Sequence, residues 1–562
     1  MRNVMKGLKG ISFAEWTLYG ALLFVGIFHV YLSCALSVIL LLRLFLISRK
    51  KGKLLVRWDL TFLFTLVLVS WYALSSLWAI DSGTAIFGFF KFLPLPLFLL
   101  LLMQEEGSGE EILSRLPYLV AVMTLISIGL MQIPVLQPYF AVAGRLSGFV
   151  QYPNTFACLL LVAELLLLTK EKPHLWDYIC IFILLFGILY TGSRTVFVLA
   201  ALSNVAALVF HRNKMVRRVT LILMGLAALS VLLYCLVTDR FDVLYRFVRI
   251  TLNQSTFVGR LLYAQDALPV VLKNPLGIGY MGYYFIQQSI QTGVYSVMFL
   301  HNDFLQMLLD VGVVPFGFFV AVIGKTLFNK KVPSRYKLVL VTLLCHCAFD
   351  FDLQYVSIFM ILLLFLNPGR GKEISFKKSK SFFGTVAIVS IVLCLYMGTA
   401  QALIRFESNE AANAVYPNTI TDIELMKETD SPAEAEEIAD RILKRNSFVA
   451  VTYSAKARAA YQKGDFAKVI EYKTKCLKVA PFSHAEYREY GSMLVNGIKL
   501  YRNAGDSASA EYCRKELLAL IGVMEEQQEK VSYLGSKVDK QPHLFFTESL
   551  QKDVDAVLGE ER

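Results

Sequence analysis

Long apolar segments alternate with short polar segments from residue 11 to about residue 402 of this chain. Because a helix needs about 20 mostly apolar residues to cross a bilayer, each long segment predicts a transmembrane helix. The predicted spans are 11–28, 30–47, 59–79, 84–103, 116–132, 153–169, 176–192, 195–210, 219–237, 302–323, 336–352, 354–367 and 382–402. Residues 11–47 would also fit one long tilted helix, so the pattern predicts an all-α polytopic membrane protein of about 12 to 13 transmembrane helices.

Basic residues collect in the loops on one side of this predicted bundle. The basic segments are SRKKGK, KEKPH, HRNKMVRR, KTLFNKKVPSRYK and GRGKEISFKKSK. The positive-inside rule assigns their side to the cytoplasm, together with the N-terminus. The loops 132–153, 192–194 and 238–301 are then expected to face outward, so any chemistry they carry is extracytoplasmic.

The chain changes character near residue 404, where it becomes charged, alanine-rich and typical of helices. Asn446 and Pro481 end successive units about 34 residues apart, which is the period of a tetratricopeptide repeat. We therefore expect a transmembrane domain at 1–403, with its large outer loop at 238–301, and an extracytoplasmic α-helical repeat domain at 404–562. Repeats of this kind usually bind a partner or pack on their own domain.

Composition supports the membrane assignment and narrows the function. The 562 residues are 56% hydrophobic, and the mean hydropathy is +0.54. The net charge of +12 lies in the loops as a topology signal, so it does not indicate nucleic-acid binding. The nine cysteines lie mostly in apolar segments without CxxC spacing, which favours packing residues over disulfides or a metal site. No phosphate-binding GxxxxGK[ST] loop is present, and we predict neither cofactor nor metal.

Further basic residues lie on the predicted outward face. They are Arg145 in GRLSGFVQYPNTFA, Arg194 in YTGSRTVF, Arg246, Arg249 and Arg260 in the long outer loop, and Lys91 about two turns inside the outer leaflet. The planar guanidinium group matches phosphate oxygens and stays protonated, so an arginine cluster beside lipid suits a polyprenyl diphosphate. The alternative is that some of the arginines border lipid headgroups and that Lys91 snorkels to the surface.

A polar triplet, His301-Asn302-Asp303, opens the tenth predicted span. A neutral histidine there would serve as the general base that a sugar transfer needs. Asn302 and Asp303 would then orient this histidine or the acceptor. The alternative is that Asn302 and Asp303 cap the helix and that His301 is an interfacial bystander. His346, Asp350 and Asp352, toward the outer end of a later span, form either a cluster that orients the base or the acceptor, or a structural polar network.

Three motifs together resemble the O-antigen ligase and O-antigen polymerase superfamily. They are GRLSGFVQYPNTFA, TGSRTVFVLA, and the series GRLLYAQDALPVVLKNPLGIGYMGY leading into HNDFLQMLLDVGVVPFG. The resemblance implies a metal-independent helical enzyme, similar to other lipid-dependent GT-C-type glycosyltransferases, that transfers a glycan from undecaprenyl diphosphate on the outer face of the bacterial membrane. It implies that Arg194 and Arg260 bind the donor diphosphate, that Arg145 lines the same site, and that His301 activates the acceptor hydroxyl. The repeat-bearing tail departs from plain lipopolysaccharide ligases.

The functional hypothesis is therefore a membrane glycosyltransferase that acts on a lipid-linked donor. Its acceptor is a glycan, a cell-wall component or a protein, the last being protein O-oligosaccharyltransfer, and a protein partner on the tail is conceivable. A transporter or flippase for lipid-linked sugars is the competing class, and it would need ionisable residues near the bilayer midplane. A non-catalytic anchor for the repeat domain would leave the arginine and histidine pattern unexplained.

Overall fold

A computed structural model describes the chain except residues 1–9, 106–108, 212, 239–240, 242–244, 247–250, 252–254, 367–371, 377–379, 539–543 and 560–562. The helices of the apolar region are α1 (Phe13–Leu23), α2 (Val30–Lys51), α3 (Leu60–Ser75), α4 (Ser82–Phe92), α5 (Pro94–Leu102), α6 (Gly109–Leu130), α7 (Gln137–Phe140), α8 (Pro153–Leu168), α9 (Leu175–Thr191), α10 (Arg194–Phe210), α11 (Lys214–Thr238), α12 (Ser255–Lys273), α13 (Gly282–Ile290), α14 (Asp303–Val311), α15 (Val313–Phe328), α16 (Ser334–Cys347), α17 (Val356–Phe365) and α18 (Lys380–Arg405). Each predicted span coincides with one or two of these helices, and the all-α polytopic prediction is confirmed.

Length and composition divide the apolar helices into two groups. Among the described residues, five helices are long and apolar enough to cross a membrane: Val30–Lys51, Ser82–Leu102, Gly109–Leu130, Lys214–Val237 and Ser381–Arg405. Shorter apolar helices of 10 to 17 residues occupy Leu60–Ser75, Pro153–Leu168, Leu175–Thr191, Arg194–Val209, Val313–Phe328 and Val356–Phe365. A shorter helix extends less far along a bilayer normal, so loops adjoining the short helices can lie below the membrane surface.

Several predicted spans are broken, each at an identifiable residue. Segment 11–47 is two helices, separated by a 3₁₀ turn in which Val25, Gly26 and Ile27 all have positive φ. The span predicted at 84–103 changes helix at Pro94, whose ring removes a backbone donor. The span predicted at 302–323 breaks at Gly312, where φ is 72°. The prediction of one continuous helix is wrong at Gly312, whereas Ser82–Leu102 still forms one apolar stretch long enough to cross a membrane.

The chain forms two compact units, and α8 lies at the centre of the first. This unit comprises residues 1–73, 87–251 and 301–401. Helix α8 packs against α6, α9, α10 and α16, and Asn154 is its one residue that is not buried. Two short antiparallel ladders complete the unit. Strand β1 (Leu54–Trp58) pairs with β4 (Lys372–Phe376), and β2 (Ala141–Val142) pairs with β3 (Arg145–Leu146).

The second unit contains the tail together with two segments from the apolar region, 74–86 and 252–300. Its tail helices are α19 (Asn409–Val415), α20 (Thr419–Glu428), α21 (Pro432–Leu443), α22 (Ala450–Gln462), α23 (Phe466–Val479), α24 (His484–Asn503), α25 (Ser507–Glu529) and α26 (Glu548–Gly559). Helices α22 with α23 and α24 with α25 form antiparallel hairpins around a core that includes Phe466, Tyr487 and Leu517. The tail is helical as expected, and its assignment as a tetratricopeptide-like domain stays a prediction.

The outer loop is part of this second unit, which the sequence did not indicate. Thr292 donates its amide and its hydroxyl to the Asp266 carboxylate, at 3.0 and 2.6 Å. The hydroxyl of Thr292 also contacts Ser532 Oγ at 2.9 Å. Gly293 and Gly535 pack so closely that a Cβ on Gly293 would lie 2.6 Å from Gly535 Cα. Because of these contacts, the outer loop and the tail belong to one compact unit. The sequence had instead assigned the loop to the transmembrane domain, with a boundary at residue 403.

Candidate active site

The first unit brings His301 and Asp350 together from segments 49 residues apart. His301 stands just before α14, and its Nδ1 lies 3.1 Å from Oδ1 of Asp350, in the segment between α16 and α17. The Asp350 side chain is fully buried, whereas 21% of the His301 side chain is exposed. The ring of Phe351 meets the His301 ring edge-on at 5.0 Å between centroids. The geometry is that of an accessible imidazole oriented by a buried carboxylate.

Asp350 also accepts hydrogen bonds from two side chains that were not selected from the sequence. Tyr152 donates its hydroxyl to Asp350 Oδ1 at 3.0 Å, and Asn154 donates its amide to Oδ2 at 2.9 Å. The Tyr152 ring stacks on Phe351 at 4.9 Å. Both residues stand in the quoted stretch GRLSGFVQYPNTFA, of which only the arginine was selected. The available signal was a pair of polar side chains at the start of an otherwise apolar helix.

Arg145 connects this histidine–aspartate pair to a cluster of cations. Its Nη2 donates to Asn154 Oδ1 at 2.8 Å, and its Nε donates to the Thr191 carbonyl at 2.7 Å. The hydrogen bonds therefore run from Arg145 through Asn154 to Asp350 and His301. A charge on a donor bound at Arg145 would be coupled to the base through this chain.

Three arginines surround the turn between α9 and α10. Arg246 Nε donates to the Gly192 carbonyl at 3.1 Å, and a Cβ added to Gly192 would contact the side chains of both Arg246 and Arg145. Burial, together with the charges of Arg246 and Arg194, lowers the pKa of Arg145 to about 10. The guanidinium stays charged near neutral pH, and the mutual repulsion favours a bound anion among the three groups.

The structure resolves the roles of Asn302 and Asp303. Asn302 is the N-cap of α14, and its Oδ1 accepts the amides of Phe304 and Leu305 at 3.1 and 3.0 Å. Asp303 is buried and accepts the Leu353 amide at 3.0 Å. Asn302 thus caps the helix, and Asp303 fixes the chain segment that follows Asp350.

His346 and Asp352 form a second buried pair next to the first. His346 Nδ1 lies 2.5 Å from Asp352 Oδ2, and Thr155 donates to Asp352 Oδ1 at 2.7 Å. Both members are at most 1% exposed. The sequence grouped His346, Asp350 and Asp352 as one cluster. In the structure, Asp350 contacts the candidate base His301, whereas His346 is buried and pairs with Asp352.

The other basic residues selected from the sequence are Lys91, Arg260 and Arg249. Lys91 is fully buried, and its Nζ donates to the Phe28 carbonyl at 2.8 Å with its charge 4.7 Å from the Phe28 ring, so it does not snorkel. Arg260 lies on α12 in the second unit, and Arg249 is outside the described residues. Asp310 and Glu164 are two further ionisable residues that are buried inside apolar helices.

These features define the class of the protein. It is an all-α, multi-pass membrane protein with a cluster of arginines joined by hydrogen bonds to a histidine–aspartate pair. Residues 179–320 match the family model described as O-antigen ligase, which supports the resemblance seen in the motifs. Searches of curated proteins and of solved structures give no significant match.

The matched stretch contains some members of the site and omits others. Arg194, Arg246, Arg260 and His301 lie within residues 179–320, whereas Asp350 lies outside. The match supports O-antigen ligase-like glycan transfer in cell-surface polysaccharide biosynthesis, with a lipid-linked glycan donor and a glycan acceptor. The tail also lies outside the matched residues.

Proposed function

We propose that the protein transfers a glycan from a polyprenyl-diphosphate carrier, of the undecaprenyl type, to an acceptor hydroxyl at the outer face of the cytoplasmic membrane. The observation that carries this proposal is the hydrogen-bond chain from Arg145 through Asn154 and Asp350 to His301. It joins a phosphate-binding group to a general base within one compact unit.

The arginines bind the donor. Arg145, Arg194 and Arg246 surround the same turn, and their guanidinium groups neutralise the diphosphate in the bound donor. The leaving diphosphate gains negative charge as the sugar–oxygen bond breaks, so the same contacts strengthen in the transition state. Arg260, on the outer loop, is proposed as a further donor contact on the strength of the family motif. No metal is needed for this role, because the arginines supply the positive charge.

His301 acts as the general base. Asp350 accepts a hydrogen bond from Nδ1, so Nδ1 carries the ring proton and the lone pair of Nε2 is the basic site. The acceptor hydroxyl gives its proton to Nε2 as its oxygen bonds to the anomeric carbon. The carbon–oxygen bond to the carrier diphosphate breaks, and the carrier diphosphate departs with the bonding electron pair. Asp350 stabilises the imidazolium that forms.

The outward orientation rests on the distribution of basic loops. It places the arginine turn, His301 and the tail on the side opposite the cytoplasm. Lipid-linked glycans that have been moved across the membrane are the activated sugars on that side, whereas nucleotide sugars are cytoplasmic. A protein or cell-wall acceptor held by the tail is compatible with the same chemistry.

The proposal is tested with purified protein, an undecaprenyl-diphosphate-linked oligosaccharide and candidate acceptors. We expect wild-type protein to consume the donor and to form a glycosidic product, and His301→Ala and Arg194→Ala to lower the rate by at least about 100-fold. His211→Ala and Arg335→Ala, which lie away from the site, are the matched controls and should change the rate less than about threefold. Full transfer by both site variants would refute the site, and failure of the wild type to consume any donor would refute the function.

A further inference from the structure

A group of buried metal-ligating side chains lies in the first unit beside the candidate base, and the proposed reaction does not use it. Its members are Cys158 on α8, Asp303 on α14, His346 and Cys347 on α16, and Asp352 before α17, each at most 3% exposed. Donor atoms of Cys158, His346 and Asp352 all lie within 4.8 Å of one another, and so do those of Asp303, Cys347 and Asp352. Asp352 thus connects two adjoining sets of three.

Hydrogen bonds inside the protein leave this group incompletely satisfied. Asp352 accepts from Thr155 and from His346, and Asp303 accepts one backbone amide through Oδ2. Asp303 Oδ1 and His346 Nε2 are fully buried, and neither has an oxygen or nitrogen partner among the described residues. The neighbouring groups are the thiols of Cys347, beside Asp303, and of Cys158, beside His346. A thiol is a weak hydrogen-bond donor, so two buried polar atoms that face only thiols fit a shared metal ion better than a hydrogen-bonded core.

Two carboxyl groups, Asp303 and Asp352, are also buried close together, so both can ionise only if a cation joins them. The only ion pair recorded for either of them in the described part of the chain is the one between Asp352 and His346. Asp350, the next carboxylate along the chain, is engaged with His301. Buried charge without compensation is strongly destabilising, whereas a divalent cation would neutralise it.

We propose that Cys158, His346 and Asp352, together with Asp303 and Cys347, bind one divalent transition-metal ion of the zinc type. Two thiols, an imidazole and carboxylates are the ligand set that zinc accepts, and calcium and magnesium do not take sulfur. Zinc–ligand bonds are about 2.0–2.3 Å long, so the donor atoms of the two sets would move toward the ion on binding.

The ion has a structural role in this proposal. It ties α8, α16 and the segment before α17 to the first turn of α14, and so holds Asp350 and His301 in register. The ligands lie up to 194 positions apart along the chain, between Cys158 and Asp352. Sequence reasoning dismissed the cysteines because no two of them have a recognised metal spacing, and only the fold brings them together.

Metal analysis of the purified full-length protein tests the proposal. We expect about one zinc ion per chain in protein from zinc-supplemented cells, and a thiolate-to-cobalt charge-transfer band after replacement by Co²⁺. The double variant Cys158→Ser/Cys347→Ser should lose at least about 90% of the metal, whereas Cys34→Ser, which removes a buried thiol elsewhere, should keep it.

The outcomes separate this proposal from the proposed function. Wild-type protein with less than about a tenth of a metal ion per chain and no cobalt band would overturn the metal site and show a purely hydrogen-bonded cluster. That result stands even if the variants fail to fold, since it concerns the wild type alone. Equal metal in wild type and double variant would overturn it too. Donor turnover, measured on the same sample, judges the transferase proposal independently.

Discussion

The replacement Asp350→Asn examines how the candidate base is held. The carboxylate offers only acceptors, and every partner donates to it. Tyr152, His301 and the Phe351 amide donate to Oδ1, at 3.0, 3.1 and 3.1 Å, and Asn154 donates to Oδ2 at 2.9 Å. An amide of the same shape has one acceptor oxygen and one donor nitrogen, so it cannot satisfy all four donors in either orientation.

The two possible orientations of the new side-chain amide lower the catalytic rate by different amounts. With the new amide oxygen at the Oδ1 position, the new NH₂ group faces the NH₂ group of Asn154, and a hydrogen bond to a charged group is lost. Such a bond contributes about 1.5–3 kcal/mol, which corresponds to roughly 10- to 150-fold in rate. With the new NH₂ group at the Oδ1 position, His301 must take the tautomer that has its lone pair on Nδ1. The equivalent change in serine proteases lowers kcat by about 10⁴-fold.

We therefore expect Asp350→Asn to lower kcat by between about 10-fold and 10,000-fold, with KM for the donor changed less than about threefold. Steady-state turnover of a lipid-linked oligosaccharide measures both constants. Asp310→Asn is the matched control, since Asp310 is equally buried and accepts from Gln306 and Tyr72 at 2.8 and 3.1 Å, outside the site. A kcat for Asp350→Asn within about threefold of wild type, alongside an inactive His301→Ala, would refute the orienting role.

Three further changes test the neighbourhood of the site and the tail. Tyr152→Phe keeps the aromatic stack but removes one donor to the carboxylate, so kcat should fall about tenfold in the same assay. Gly148→Ala should destabilise by about 1–3 kcal/mol in thermal unfolding, because φ is 58° and the new Cβ would lie 2.5 Å from Phe156; an unchanged midpoint would contradict this. Burial alone would raise the pKa of Glu489, but bonds from Arg458 and Lys473 lower it on balance. Its stabilisation is thus present above the ordinary pKa of 4.5 and is lost as pH falls through the lowered pKa, so the stability difference between wild type and Glu489→Gln should narrow as the pH is lowered from 4.5. A pH-independent difference would contradict it.

Much of the architecture was predictable because its signals are local. A span is recognised from the length and hydropathy of one segment, and the N-cap role of Asn302 follows from an asparagine before an apolar helix. The breaks at Pro94 and Gly312 were also visible as residue types, yet hydropathy averaging concealed them. The grouping of loop 252–300 with the tail had no local signal, because it depends on close approach of residues such as Gly293 and Gly535.

The sequence by itself determined the kind of protein: an all-α membrane chain with arginines in loops predicted to face outward, a histidine at the start of a predicted span, and motifs that resemble the O-antigen ligase superfamily. Only the tertiary structure decided which polar residues meet. His301 contacts Asp350, and Asp350 accepts a hydrogen bond from Asn154. Arg145 lies beside the turn at Gly192, and Lys91 is buried against the Phe28 carbonyl. The reason is physical: hydrophobic periodicity fixes which face of a helix is buried, whereas a contact between residues 49 or 196 positions apart depends on how several helices pack.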